Sequence, residues 1–344
     1  MNPDQSLDTP ATPVRVSTGQ LPSGDQVQRL LTEAYDRFAP LTDGRVADYI
    51  PLLAEASPEL FGLAVVSVDG GIYTAGDDGY EFSIQSVSKP FVFALVAEAL
   101  GHGVARAKIG VNNTGLPFNS VMAIELNDDR TANPMVNAGA IATTSLIPGD
   151  TADAKWQFIR QGLSRFAGRE LQLDGEVYAS ESASNRRNQG IAKLLAGYDR
   201  MYFEPLAATD VYTRQCSLNV TVRDLAVMSA TLADGGINPI THERVVSADT
   251  CKRVLAVLAT AGLYEHSGEW LYDIGLPAKS GVSGGIMTAA PGKGGLATFS
   301  PPLDSAGNSV RGRRATTMLS DALGLNLFAS KPAEQPETSR AARD

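Results

Sequence analysis

Gln85-Ser86-Val87-Ser88-Lys89-Pro90-Phe91-Val92-Phe93-Ala94-Leu95-Val96-Ala97-Glu98-Ala99-Leu100-Gly101 is the stretch that decides how this chain is read. Glu81 to Gln85 is not helix-like, whereas Pro90 to Leu100 is a strong apolar helix that stops at Gly101. Pro90 suits a first helical turn, where its missing N–H costs nothing. Ser86 is therefore expected at a helix N-terminus, among unsatisfied backbone N–H groups. Lys89, three residues on, shares its face. A serine hydroxyl becomes a nucleophile when a base takes its proton, and a lysine is such a base only if burial or nearby charge keeps it neutral. The S-x-x-K spacing alone is equally met by an N-cap serine followed by a solvated lysine.

A second element, Lys279-Ser280-Gly281-Val282-Ser283-Gly284-Gly285, opens a late region of strand character. S-x-x-K with a later K-T-G is the signature of serine β-lactamases and penicillin-binding proteins. The triplet here is K-S-G. A glycine-rich edge strand admits close approach of a substrate, and its N–H groups can face a developing oxyanion. The alternative is a glycine-rich turn with a surface lysine. The third element of that signature is missing; Val211-Tyr212-Thr213-Arg214-Gln215-Cys216-Ser217 is the nearest approach. This departure argues against β-lactam chemistry.

The chain's 344 residues are 43% hydrophobic and 19% charged, enough for a sizeable core in one large domain or two ordinary ones. A net charge of −9 argues against nucleic-acid and anionic-membrane partners. No apolar run reaches the length of a membrane span. Met1 to Gly24 lacks the basic-then-apolar order of a signal peptide, so a cytoplasmic location is expected. Cys216 and Cys251 form neither a disulfide framework nor a zinc site and read as buried small hydrophobes. His102, His242 and His266 are not at metal-ligand spacing, and so few histidines favour a lysine or tyrosine base.

Along the chain, Ser23 to Gln26 reads as a capping box ahead of a helix whose apolar face is Val27, Leu30, Leu31, Ala34, Tyr35 and Phe38. Pro40 ends it. A further helix is expected over residues 47–56. Phe61 to Val68 and Ile72 to Thr74 read as two strands joined by Asp69-Gly70-Gly71. Residues 120–260 are mostly helical in pattern, with candidates at 137–143, 155–166, 188–198, 222–232 and 251–263. Lys279 to Ala290 and Gly294 to Phe299 read as sheet, and residues 310–327 as a closing helix. The expectation is an α+β architecture. N- and C-terminal strands join in one antiparallel sheet, the first and last helices cover it, and a helical subdomain (about residues 100–265) is inserted. Residues 25–329 form the catalytic domain, between a disordered extension (residues 1–24) and a disordered tail (residues 330–344).

With these elements in place the chain resembles the serine-dependent glutaminases, the bacterial glutaminase A and animal kidney and liver group. The resemblance runs from about Tyr49 to Asn308. It is carried by Tyr49-Ile50-Pro51, Gln85 to Pro90, Asn133-Pro134-Met135-Val136-Asn137-Ala138-Gly139-Ala140, Ser180-Glu181 and Arg187-Asn188. Leu232 to Pro239, Gly275 to Val282, Ser300 to Asp304 and Gly307 to Val310 also match. The resemblance implies a β-lactamase-like fold and hydrolysis of L-glutamine to L-glutamate and ammonia. Ser86 would be the nucleophile and Lys89 its activating partner, with Tyr264 and Tyr49 as further catalytic residues. The substrate contacts would be Ser86, Asn137, Glu181, Asn188, Tyr212, Tyr264 and Val282. No cofactor or metal is implied, and a homo-oligomer, often a tetramer, is.

The residue chemistry agrees. Glutamine's ammonium wants a carboxylate, which Glu181 supplies; its carboxylate wants neutral donors, which Asn137, Asn188 and tyrosine hydroxyls supply. Without the resemblance, Glu181 reads as a solvated helix-cap acid and Asn137 as a helix N-cap. Asn188 then reads as a surface residue, and Tyr212 and Tyr264 as core aromatics with one wet end. The competing readings are a β-lactamase- or peptidase-like serine hydrolase, and a non-catalytic β-lactamase-like binding domain.

Overall fold

The structure is a computed structural model that describes residues 19–48 and 51–331. Tyr49, the terminal extension up to residue 18 and the tail from residue 332 lie outside the described residues.

The strands are β1 (Gly62–Ser67), β2 (Ile72–Gly76), β3 (Phe82–Ser83), β4 (Asn219–Val220), β5 (Ala278–Ser280), β6 (Gly285–Ala290) and β7 (Gly294–Phe299). The helices begin with α1 (Gly24–Phe38), α2 (Lys89–Leu100), α3 (His102–Ile109), α4 (Met122–Glu125), α5 (Asn137–Leu146) and α6 (Ala152–Ala167). They continue with α7 (Gly175–Ser184), α8 (Arg186–Gly197), α9 (Pro205–Cys216) and α10 (Val222–Ala233). The last are α11 (Ala248–Ala261), α12 (Ser267–Asp273) and α13 (Val310–Leu323).

Five strands form one antiparallel sheet in the order β2-β1-β7-β6-β5. The two ends of the chain meet in it where β1 pairs with β7, Val65 opposite Leu296. Every residue of β1, β6 and β7 is buried, because both faces of the sheet are covered. The strand period of two sends Leu63, Val65, Ile286 and Leu296 toward α1 and α13. Ala64, Val66, Met287, Ala297 and Phe299 go to the opposite core, with residues of α2, α6, α10 and α11. On that side α10 packs on β7, β1 and β6, so one helix of the inserted stretch belongs to the sheet's own layer. Its approach needs Gly295: a Cβ there would stand 2.2 Å from the Ala226 carbonyl oxygen.

Three local expectations change. Ser23 does sit at the cap of α1, but its side chain makes no capping bond; its carbonyl accepts the Gln26 and Val27 N–H groups instead. The helix expected over 47–56 is only a 3-10 turn at Leu53–Glu55 in the described part, since Pro51 biases the residue before it away from helix. The closing helix stops at Leu323, where Gly324 takes a left-handed cap. α3 and α12 lie outside the stretch expected to be helical, and α4, α7 and α9 lie within it but outside its five candidate segments.

Candidate active site

Ser86 lies in a 3-10 turn, Gln85–Ser88, that runs directly into α2. The short β3–β4 pair and the bond from the Ile84 N–H to the Leu218 carbonyl (2.8 Å) fix the approach to it. Gln85 turns the chain with a φ of 48°, and Tyr264, across the site, has a φ of 58°. Both are buried non-glycine residues in the left-handed region, a strain the surrounding structure must hold in place. The turn between β5 and β6 brings Val282 to the same cleft as Ser86. Among the described residues, neither the Ser86 N–H nor the Val282 N–H finds a protein acceptor.

Lys89 is fully buried. Its amine donates to Asn137 Oδ1 at 2.8 Å and to the Met135 carbonyl at 3.3 Å. Burial lowers its pKa from 10.5 to about 8, against the pull of the Glu181 charge. Burial also pushes the neighbouring Cys216 thiol far up, so it carries no charge near neutrality and Glu181 is the anion that matters to Lys89. Lys279, on edge strand β5, is a second buried amine. Desolvation, and secondarily the charge of Lys89, hold it well below the usual lysine range. Its Nζ donates to the Ser280 carbonyl at 2.7 Å and sits 4.1 Å from the centroid of the Tyr264 ring. The Tyr264 hydroxyl donates to that same carbonyl at 3.0 Å. Burial raises the Tyr264 pKa, partly offset by a hydrogen bond with the Ser86 side chain. The Lys89 amine is bonded to Asn137 and Met135.

In front of these groups is a cleft of about 200 Å³, below the roughly 300–1,000 Å³ typical of sites for drug-sized ligands. Ser86, Asn137, Glu181, Asn188, Tyr212 and Val282 all line it. Glu181 is in the middle of α7 and 8% exposed, so it is not a solvated cap acid. Burial raises its pKa from 4.5 to about 7, opposed by a bond from Gln85 Nε2 (3.3 Å) and by the Lys89 charge. Asn137 opens α5, but Val136 is the cap residue and the Asn137 side chain does no capping. Instead its Nδ2 donates to Asn188 Oδ1 at 3.0 Å, and its Oδ1 receives the Tyr212 hydroxyl at 3.4 Å as well as Lys89. Asn188 is half-buried on α8 and Tyr212 is buried on α9. Tyr49 lies outside the described residues, so the structure places eight of the nine expected site residues.

Some neighbours carried no expected site role. Gln85, Asn185, Arg187 and Cys216 also line the cleft. Phe118 stands at its side, 4.8 Å from the Tyr264 ring, with the Lys89 amine 6.0 Å from its own centroid. Gln85 had a signal in its place beside the nucleophile. Phe118, in an irregular polar segment, had none. Among the described residues no cluster of three His, Cys, Asp or Glu side chains could hold a metal ion. The arrangement offers a serine hydroxyl, two amines of lowered proton affinity, two free N–H donors, and a carboxylate facing neutral amides across a small cleft.

The glutaminase family model matches residues 44–328. The chain is 60% identical to glutaminase 2 of Yersinia pestis over 317 residues, covering 92% of this chain and 93% of that one. It is 51% identical to the glutaminase of Colwellia psychrerythraea over 307 residues, covering 89% and 99%. Among solved structures, the probable glutaminase ybaS superposes with a TM-score of 0.88 at 45% identity, covering 90% of this chain and 100% of that chain. A probable glutaminase from Bacillus subtilis complexed with 6-diazo-5-oxo-L-norleucine gives 0.78 at 30% identity, covering 89% and 97%. The fold is the β-lactamase-like α+β fold these structures share, and the chain belongs to the glutaminase family.

Proposed function

We propose that this chain hydrolyses L-glutamine to L-glutamate and ammonia through a γ-glutamyl ester on Ser86. The observation that carries the reading is the shared cleft. The helix-heading serine opens onto the same small space as a buried carboxylate, Glu181, and the amides Asn137 and Asn188.

Glu181 takes the substrate's α-ammonium, and Asn137, Asn188 and Tyr212 address its α-carboxylate. Ser86 Oγ attacks the side-chain amide carbon while its proton passes to neutral Lys89. The oxygen of the tetrahedral intermediate is held by the N–H groups of Ser86 and Val282. Lys89 returns the proton to the departing nitrogen, the C–N bond breaks and ammonia leaves. Water then attacks the ester, giving a proton to Lys89, and Lys89 passes it to Ser86 Oγ as the ester bond breaks and L-glutamate leaves. Tyr264, whose hydroxyl lies near the Ser86 side chain, orients Ser86 Oγ, and Tyr49 joins the catalytic set by family resemblance.

The proposal extends to a catalytic unit spanning residues 25–329, a cytoplasmic location and a homo-oligomer, a tetramer by resemblance. No described helix is long and apolar enough to cross a membrane.

The test is ammonia release from L-glutamine by the purified protein and its Ser86→Ala variant, with asparagine and a chromogenic β-lactam in parallel. Release from glutamine that disappears in the variant supports the reading. Turnover of the β-lactam alone, or release undiminished in Ser86→Ala, overturns it.

A further inference from the structure

A hydrogen-bonded relay lies behind the nucleophile and outside the substrate cleft. Ser88, fully buried, donates from Oγ to the Gln85 carbonyl at 2.7 Å. Gln215 of α9, 1% exposed, donates from Nε2 to Ser88 Oγ at 3.0 Å. Its Oε1 accepts from Thr144 Oγ1 of α5, also at 3.0 Å. The direction is fixed by chemistry. A carbonyl can only accept, so the single Ser88 proton goes to Gln85, and Ser88 must receive its other bond from the Gln215 amide nitrogen. The Cys216 thiol also lies against Ser88.

The Gln85 carbonyl and the Ser86 N–H belong to one planar trans peptide, so fixing the first aims the second in the opposite direction. This peptide follows a residue whose φ of 48° is unfavourable for glutamine. Rotation of that peptide about the Gln85 Cα–C bond would turn the Ser86 N–H away. A hydrogen bond to the carbonyl also polarises the N–H as a donor.

We infer that Ser88 and Gln215 are positioning residues that hold the Ser86 N–H in register as an oxyanion donor, acting through the Gln85 peptide and touching no substrate. This rests on the reading of Ser86 as nucleophile and of its N–H as part of the oxyanion site.

The experiment measures kcat and KM for glutamine, and the Kd for L-glutamate, in Ser88→Ala, Gln215→Glu and Gln215→Met. Ser88→Ala removes the side-chain donor to the Gln85 carbonyl, leaving only the backbone bond of the 3-10 turn, and should lower kcat by about tenfold, since loss of a whole oxyanion donor costs roughly 10²–10³. KM and the glutamate Kd should stay within about twofold. Gln215→Glu is nearly isosteric, yet its carboxylate would draw the Ser88 proton away from Gln85, so its kcat should match that of Ser88→Ala. Gln215→Met leaves Ser88 free to serve Gln85 and should lose only a few-fold. The double variant Ser88→Ala with Gln215→Met should lose no more kcat than Ser88→Ala alone. If Ser88→Ala fails to fold, the order Glu worse than Met at position 215 carries the test.

A folded Ser88→Ala with kcat within twofold of the parent overturns the relay, as does a kcat loss matched by equal loss of glutamate affinity. Activity that survives in the Ser86→Ala variant would instead overturn the underlying mechanism, and the two failures are told apart by that control.

Discussion

The Lys89 amine and Asn137 Oδ1 are 2.8 Å apart, a lysine paired inside the protein with a neutral acceptor. The pairing satisfies the amine without a full negative charge, so burial can hold its pKa near 8. Asn137→Asp would place a carboxylate at that distance and raise the lysine's proton affinity by roughly 1–3 pH units. The variant should show its kcat limb displaced toward alkaline pH by at least about one unit, with activity lost at pH 8 and partly regained above pH 9. An unmoved limb in a pH–rate titration would remove Lys89 as the base.

The parent enzyme should be alkaline in its optimum. Glu181 must be charged to hold an ammonium, and that requires pH above about 7. Lys89 must be neutral to accept a proton, and that requires pH above about 8. Both conditions improve as pH rises, so kcat/KM should climb steeply from pH 6 to 8. A bound ammonium lowers the proton affinity of both groups, so the limb in kcat should lie at lower pH than that in kcat/KM. A rate profile flat from pH 6 to 9 would contradict both assignments.

The placement of Ser86 and Lys89 was legible because its signals are local: an apolar helix, Pro90 in its first turn, and the two residues three apart. The β1–β2 hairpin and the β5–β7 region were legible for the same reason, since turn glycines and strand periods act over a few residues. The opposite wall of the site is not local. Lys89 meets Asn137 across 48 residues, and Asn137 meets Asn188 across 51. Asn137 reads as a cap, Glu181 as a surface acid and Tyr212 as a core aromatic, because each role depends on packing among α5, α7, α8 and α9. α9 itself escaped notice: Thr209, Thr213 and Gln215 are polar yet buried, so no amphipathic stripe marks it. Only the family resemblance supplied those residues in advance.

Glu181→Gln should separate stability from function. A carboxyl held at about 7 in the folded protein, against an ordinary 4.5, contributes stability that is full below pH 4.5 and lost as pH rises through 7. At pH 8 the buried charge therefore costs up to about 3 kcal/mol, at roughly 1.4 kcal/mol per tenfold change in proton affinity. The amide variant should unfold at higher denaturant than the parent at pH 8 and at nearly the same denaturant at pH 4.5. Its kcat/KM should fall about 10²-fold or more, since its site no longer pairs the ammonium. Equal midpoints at pH 8 would mean that the carboxylate is not strained.

Gly139→Ala tests how α5 is seated. A Cβ at this position would lie 2.0 Å from the Asn133 carbonyl oxygen and 2.3 Å from that of Ala132. Backbone must move to admit it, and Asn137, two residues earlier, moves with it. The variant should lose about 2 kcal/mol or more in denaturant unfolding, as overpacked cores do, and its KM should rise. A variant as stable and active as the parent would show that the 132–133 segment yields freely.

Tyr264→Phe removes one hydroxyl from a place where the protein can spare it structurally. The Ser280 carbonyl would lose its 3.0 Å bond from Tyr264 but keep the 2.7 Å bond from Lys279, so no buried acceptor is orphaned. The ring would still lie against Lys279 and Phe118. Stability should stay within about 1 kcal/mol of the parent, the usual net worth of one hydrogen bond. What is lost is the hydroxyl near the Ser86 side chain, and with it the serine's alignment for attack. The expected result is a kcat lower by tenfold or more, with L-glutamate affinity nearly unchanged. A fall in glutamate affinity alone, with kcat intact, would make Tyr264 a substrate contact rather than a group that serves the nucleophile.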